Sequence, residues 1–419
     1  MTTWTRVPDT HPFSVHALPY GSFSMASDVT DEAGPDGPSR RRVGVAIGDQ
    51  VLDLTSVTAE LAPDLAATFA DGTMDRLLAA GRPVWSRVRA AVVDWLTDPA
   101  FQTDVERHLL PLQDVVLHLP FDVADYVDFY ASEHHATNLG RMFRPDQEPL
   151  TANWKHLPIG YHGRAGTIVP SGTPVQRPAG LRRGPDGDVT FGASARLDIE
   201  TELGFVVGTS STLGTPVPLE QFDQHVFGVC LVNDWSARDI QAFEYVPLGP
   251  FLGKSFATSI GHWVLPLEAL EHARVRPPTR DVPLAHYLDD TLTGEWGLDI
   301  DFEVTLNGVV VSRPPFAPMY WTAAQQLAHM TINGAALRTG DFFASGTISG
   351  PEREQRGSLI ELSWGGSEPL TLEDGSTRTF LEDGDEVLIS ASAPGPDGTR
   401  IGLGTVRGRI TPNTQPTGE

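Results

Sequence analysis

The stretch VFGVCLVNDWSARDIQAFEYVPLGPFLGKSF, residues 226–256, decides how this chain is read. It opens with an unbroken apolar run, 226–232, the pattern of a strand buried on both faces. The chain then turns helical, with Ser236 and Asp239 spaced as a capping box. Arg238, Gln241 and Tyr245 follow at i, i+3 and i+7, which predicts one helix face carrying a stripe of hydrogen-bond donors. Asp234 stands where the strand ends, a usual place for functional side chains in sheet proteins. Pro247 and Pro250 stop the helix, and Lys254 arrives on a glycine-flanked turn. Taken singly, Asp234 serves equally well as a cap, Arg238 as its partner and Lys254 as a solvated charge. Their concentration beside so apolar a strand is what points to a site.

The chain has 419 residues, enough for two domains. Its 54 acidic and 30 basic side chains leave a net charge of −24, which disfavours a polyanionic partner such as nucleic acid. The basic clusters, 41–43 and 182–183, are short and lack interleaved aromatics. The single cysteine, Cys230, falls inside the apolar run and has no intrachain partner, consistent with a reducing compartment. The first residues, MTTWTRVPDTHPF, hold no apolar signal core, and no apolar run nears the ~20 residues a membrane span needs. A soluble, cytoplasmic protein without membrane or nucleic-acid partners is expected.

Short alternating runs such as RVGVAIGDQVLDL (42–54) read as strand, turn and strand. The polar, Gly/Pro-rich segment 28–41 reads as an exposed loop. From 58 to 110 apolar residues recur three and four apart, the helical period. Beyond Leu119-Pro120 strands, Gly and Pro dominate, in 166–178, 195–208, 297–311, 357–364, 384–394 and 399–410. With PDG and NG turns between them, they predict a large, mostly antiparallel, β-rich domain. The expected class is α+β, divided into residues 1–118 and 119–419.

In ARLDIETELGFVVG (195–208), Glu200 and Glu202 lie two apart on a strand, sharing a face about 7 Å apart. A solvated sheet face and a pair of ligands for a hard cation both fit that spacing. DYVDFYASEHHATNLGRMFRP (125–145) reads as helical after its opening, so Asp128 and His135, seven apart, share a face from which His134 is displaced by roughly 100°. His135 gains significance only if a carboxylate orients it. In GSLIELSW (357–364), strand alternation sets Glu361 opposite Ile360, Leu362 and Trp364. Such an acid is usually exposed; one that orients a histidine is buried and hydrogen-bonded. GPFLGKS (249–255) is one residue short of a P-loop, GLGTVRG (402–408) lacks the dinucleotide-binding spacing, and there is no G-x-S-x-G, CxxC or HExxH.

With these residues in view the sequence resembles the fumarylacetoacetate hydrolase family almost end to end. LPYGSF, RVGVAIGDQVLDL, DFY, HATN, NWKHLPIGYHGR, SGTP, LDIETELGF, NDWSARDIQ, EYVPLGPFLGKSF, ASGTISGPE and DGDEV carry the likeness. It implies a small N-terminal SH3-like β domain with helices, a large C-terminal β-roll with the active site, and a homodimer. It also implies hydrolysis of 4-fumarylacetoacetate to fumarate and acetoacetate in tyrosine and phenylalanine breakdown. Asp128, Glu200, Glu202 and Asp234 match the family's divalent-cation ligands, usually calcium, and Lys254 and Thr258 match positions around a second, magnesium site. His135 matches the catalytic base and Glu361 its orienting acid. Arg238, Gln241 and Lys254 match donors to developing negative charge, and Tyr130, Arg144, Tyr161, Gln241, Tyr245 and Thr347 match substrate contacts. Glu133-His134 just before His135 departs from the pattern, as does the 28–41 segment. The competing expectations are a relative that hydrolyses, decarboxylates or isomerises another 2,4-diketo acid, and a calcium-stabilised scaffold without turnover.

Overall fold

The computed structural model describes residues 3–28, 41–184, 186–291 and 296–415. The exposed-loop reading of 28–41 falls almost wholly outside the described residues.

The first unit is SH3-like. Tyr20–Met25, Arg42–Ile47 and Gln50–Asp53 pair antiparallel, with Leu109–Pro111 and Val115–Leu117 closing the two edges of a five-stranded sheet. Helix Arg82–Thr97 buries Trp85, Val88, Val92, Trp95 and Leu96, a three-and-four spacing that makes one apolar stripe. Trp85 meets Phe227 edge-on at 5.3 Å, so this helix packs on the back of the long central strand of the second unit.

That strand, Val226–Asp234, is buried at every position and carries the apolar run. It pairs antiparallel with Thr201–Val207 on one side and Thr258–Ile260 on the other, and Leu265–Pro266 joins its start. Val229 and Leu231 face the core of the second unit, while Cys230 and Val232 face the core shared with the first. The mixed sheet continues through Asp341–Ala344 and Asp125–Phe129, which are parallel to each other. A five-stranded sheet centred on Asp301–Leu306, Glu386–Pro394 and Arg400–Thr411 covers its far face. In Glu386–Pro394 every second residue is buried, the signature of a strand with one wet face. The whole is α+β and β-rich, with curled sheets, as expected.

Three local readings are corrected. Residues 125–145 are not one helix: Asp125–Phe129 is a strand, and the helix is Glu133–Phe143. Ser132 starts it, its hydroxyl accepting from the His135 N–H at 3.3 Å. The Ser236/Asp239 capping box does not form: Ser236–Ala237 bridges Leu197–Asp198, and the helix is Arg238–Glu244. Asp239 instead accepts from the Ser194 hydroxyl at 2.6 Å and the Ala195 N–H at 2.8 Å. GSLIELSW is not a strand: Leu359–Leu362 is one helical turn, buried on all sides. Alternation is uninformative there because no face is wet.

Candidate active site

Four carboxylates meet where three strands of the mixed sheet come together. Asp128 stands near the end of Asp125–Phe129, Glu200 and Glu202 straddle the start of Thr201–Val207, and Asp234 ends the central strand. The register is fixed by Thr201 opposite Asn233 and by the Asp234 N–H donating to the Glu200 carbonyl at 3.1 Å. One oxygen from each acid lies within 4.8 Å of the others, and all four side chains are buried. The solvated-face reading of Glu200 and Glu202 therefore gives way to the clustered one.

Two cations and a histidine border the acids. Lys254 Nζ contacts Glu200 and lies 2.8 Å from Asp234, whose other oxygen accepts from the Thr258 hydroxyl at 2.7 Å. Arg238 stands 2.7 Å from Glu200, an ion pair rather than an aligned hydrogen bond, and donates to Gln241 Oε1 at 3.3 Å. His135 Nδ1 is 2.6 Å from Glu361, and its Nε2 faces the acids, 3.9 Å from Glu200. Asp128 and His135 do meet at one site, delivered by a strand and a following helix rather than by one helix face.

The electrostatics separate the acids. Burial alone would raise the Glu200 pKa, but Arg238, Lys254 and His135 outweigh it and hold the carboxyl well below the usual range. Burial and the Asp234 charge push Asp128 well above its usual value, and burial with Asp128 and Asp234 does the same to Glu202. Burial would lower Lys254, yet Asp234 and Glu200 raise it, so it stays an ammonium. Both oxygens of Glu202 and one of Asp128 are buried without a hydrogen-bond partner among the described residues. A native fold rarely leaves three such oxygens unpaired. All are hard donors converging on one spot, so the residues fit a divalent cation.

The remaining residues divide into near and far. The Tyr130 ring stands edge-on to His135 at 5.4 Å, and Arg144 is close enough to act on its phenol. Tyr161 donates to Asp234 at 3.4 Å. Thr347 is buried on the segment after Asp341–Ala344, beside the Thr201 backbone. Tyr245, just past the Arg238–Glu244 helix, is half exposed. Asn138, Ser349 and Ser358 were not foreseen; each donates to the Glu361 carboxylate, at 2.9, 2.9 and 2.7 Å. Asn138 was findable, one helical turn from His135 within HATN. Ser349 comes from another segment and carries no local signal.

Residues 125–411 match the family model described as fumarylacetoacetate (FAA) hydrolase C-terminal, and residues 16–120 match fumarylacetoacetase N-terminal. The chain is 42% identical to a fumarylacetoacetase of Homo sapiens, with 98% of this chain and 99% of the relative covered. It is 43% identical to one of Caenorhabditis elegans, with 98% and 99% covered. A solved fumarylacetoacetate hydrolase from psychrophilic Exiguobacterium antarcticum has the same fold, at TM-score 0.53 and 18% identity over 94% of this chain and 99% of that one. Two adjoining matches that together take in both units, and likeness over nearly the full length of these relatives, establish that the chain belongs to the fumarylacetoacetate hydrolase family.

Proposed function

We propose that this chain hydrolyses the carbon–carbon bond of 4-fumarylacetoacetate, releasing fumarate and acetoacetate. This would be the last step of tyrosine and phenylalanine breakdown. The observation that carries the reading is the line Glu361, His135, Glu200, with His135 Nδ1 2.6 Å from Glu361 and Nε2 turned to the acids. Glu361 holds the Nδ1–H, which leaves Nε2 free to take a proton from water, a step worth about 10²–10⁴ in rate. The hydroxide attacks the ketone carbon next to the fumaryl double bond. Arg238, Gln241 and Lys254 donate to the resulting oxyanion; one such donor typically contributes on the order of 10²–10³. The bond to the methylene carbon breaks, its electron pair goes to the acetoacetate enolate, and the imidazolium returns the proton to that carbon. Tyr130, Arg144, Tyr161, Tyr245 and Thr347 hold the substrate's carboxylates and keto groups.

Asp128, Glu200, Glu202 and Asp234 would hold a divalent cation, which when bound supplies positive charge to the departing enolate. We assign calcium ahead of magnesium, because a crowded all-carboxylate set suits the larger, more flexible coordination shell. Thr258 supplies the neutral oxygen for a second, magnesium site, with Lys254 beside it as an ammonium rather than a ligand.

We further propose that residues 1–118 and 119–419 are the two units, that the chain works in the cytoplasm, and that it is a homodimer. The dimer is supported by exposed apolar side chains gathered on two neighbouring segments: Val246, Leu248, Phe251 and Leu252, with Leu181 and Phe191 on the hairpin beside them. The test is one preparation with two readouts. The chain should sediment as a dimer and remove the ultraviolet absorbance of fumarylacetoacetate, losing that activity to a chelator and regaining it with calcium. A calcium-loaded chain inert toward fumarylacetoacetate but active on another 2,4-diketo acid would replace the substrate assignment.

A further inference from the structure

We propose that Asp198 is a positioning residue for this reaction, setting the Glu361–His135 pair and the Arg238 guanidinium in one frame. The inference rests on the hydrolytic reading above and assigns a role to a residue that lies outside the acid cluster.

Asp198 is fully buried, yet each of its carboxylate oxygens is doubly satisfied. Oδ1 accepts from the Ile199 N–H at 2.8 Å and the Leu359 N–H at 2.7 Å. Oδ2 accepts from Arg238 Nε at 2.8 Å and the Ile360 N–H at 3.1 Å. One carboxylate thus ties three separate pieces of the site together. Leu197–Asp198 runs directly into Glu200; Arg238 opens the helix that carries Gln241; Leu359–Leu362 is the single turn that carries Glu361.

Each piece has further contacts, such as Asn138 and Ser349 on Glu361 and Ser194 on Asp239, but Asp198 joins all three through a single carboxylate. The Leu359–Leu362 turn has no side-chain cap from its own N-cap, Ser358, whose hydroxyl donates to Glu361 instead. Its first N–H groups are therefore satisfied from outside, by Asp198, and that contact helps set where Glu361 stands, together with the donors on the Glu361 carboxylate. The guanidinium is planar, so fixing Nε at Asp198 also fixes the direction in which NH1 and NH2 reach Gln241 and Glu200. Asp198 touches neither His135 nor the space beside Nε2, so it acts through Arg238 and Glu361. A shift of a few tenths of an ångström in either is felt in the transition state before it is felt in binding.

D198N is the test, because the isosteric amide presents a donor where Arg238 Nε–H and the Ile360 N–H need an acceptor. Relative to wild type active on fumarylacetoacetate, kcat should fall about 10²-fold with KM within about threefold and calcium affinity unchanged by calorimetry. In a double-mutant cycle, D198N should cost less in an R238Q background than in wild type, because the share exerted through Arg238 is already gone while the share through the Leu359–Leu362 turn remains. A D198N kcat within about threefold of wild type, or losses that multiply in the double variant, overturns the assignment. If D198N lacks a cooperative melting transition, D198E, which keeps the charge but displaces it by one methylene, takes its place with the same expected kcat loss. Failure of both to fold overturns the assignment in favour of a purely structural role. An inert wild type leaves no kcat to compare and marks the failure of the substrate reading instead.

Discussion

At the scale of the residue, Glu361 shows how context reverses an expectation. An acid buried without help is pushed to a high pKa, but His135 and the Asn138 and Ser358 donors outweigh burial and lower Glu361 to about 2. A depressed folded-state value stabilises the protein above the ordinary carboxyl range and loses that stabilisation as pH falls from about 4.5 toward 2. The shift corresponds to about 3 kcal/mol on the acid side, where His135 is an imidazolium. E361Q should therefore melt lower than wild type at pH 7, with the gap narrowing toward pH 3, and should lose at least 10²-fold in kcat because the amide favours the wrong imidazole tautomer. Parallel melting-temperature differences across that range would show that Glu361 is not the group responsible. The pairing of Glu361 with His135 was legible only through family resemblance, since alternation suggested an exposed strand residue. Asp198 was legible in neither way, although it shares the two-residue spacing of Glu200 and Glu202. The sequence has no mark for an acid whose partners are N–H groups about 160 residues away.

At the scale of the element, the apolar run 226–232 and the alternation of 384–394 became strands as expected, because each pattern has one structural solution. The helical reading of 125–145 went wrong in its first part, where Asp128 lies on the strand Asp125–Phe129 paired with Asp341–Ala344, a long-range pairing that leaves no local sign; the seven-residue spacing to His135 crosses an element boundary. Glycines test the elements directly. Gly346 has φ +73°, and a Cβ there would stand 2.0 Å from the Phe129 carbonyl oxygen. Gly308, in the Asn307-Gly308 turn, has φ +82° and nothing within 4 Å. G308A should cost only the left-handed strain, about 1–2 kcal/mol. G346A adds a backbone collision that drives apart the strands bearing Asp128 and Ala344, so it should cost at least about 3 kcal/mol in urea melts and weaken calcium binding. Equal costs for the two variants would mean the close approach at Gly346 is relieved cheaply.

At the scale of the whole molecule, the class could be inferred because strands, Gly and Pro come to dominate beyond residue 119. How the units meet could not, because Trp85 against Phe227 joins positions 142 residues apart with no local trace. Charge is the clearest global feature. A chain at −24 gathers Asp128, Glu200, Glu202 and Asp234 into one buried site against the cations Lys254 and Arg238. Glu200 contacts both cations, whereas Glu202 contacts neither and, among the described residues, keeps both oxygens unpaired. Its ionised form is therefore penalised in the metal-free protein, which is why its carboxyl is pushed well above the usual range, and is favoured in the loaded one. Calcium at a hundredfold excess over its dissociation constant should stabilise wild type by about 2.7 kcal/mol through mass action alone. E202Q reverses the first effect and removes most of the second. Its uncharged amide carries no such penalty, so it should melt above wild type in chelator, and below it in excess calcium. The crossing distinguishes a metal ligand from an ordinary core residue, whose loss lowers both melting temperatures together. If E202Q melts below wild type under both conditions, the four acids are not held in place for a cation.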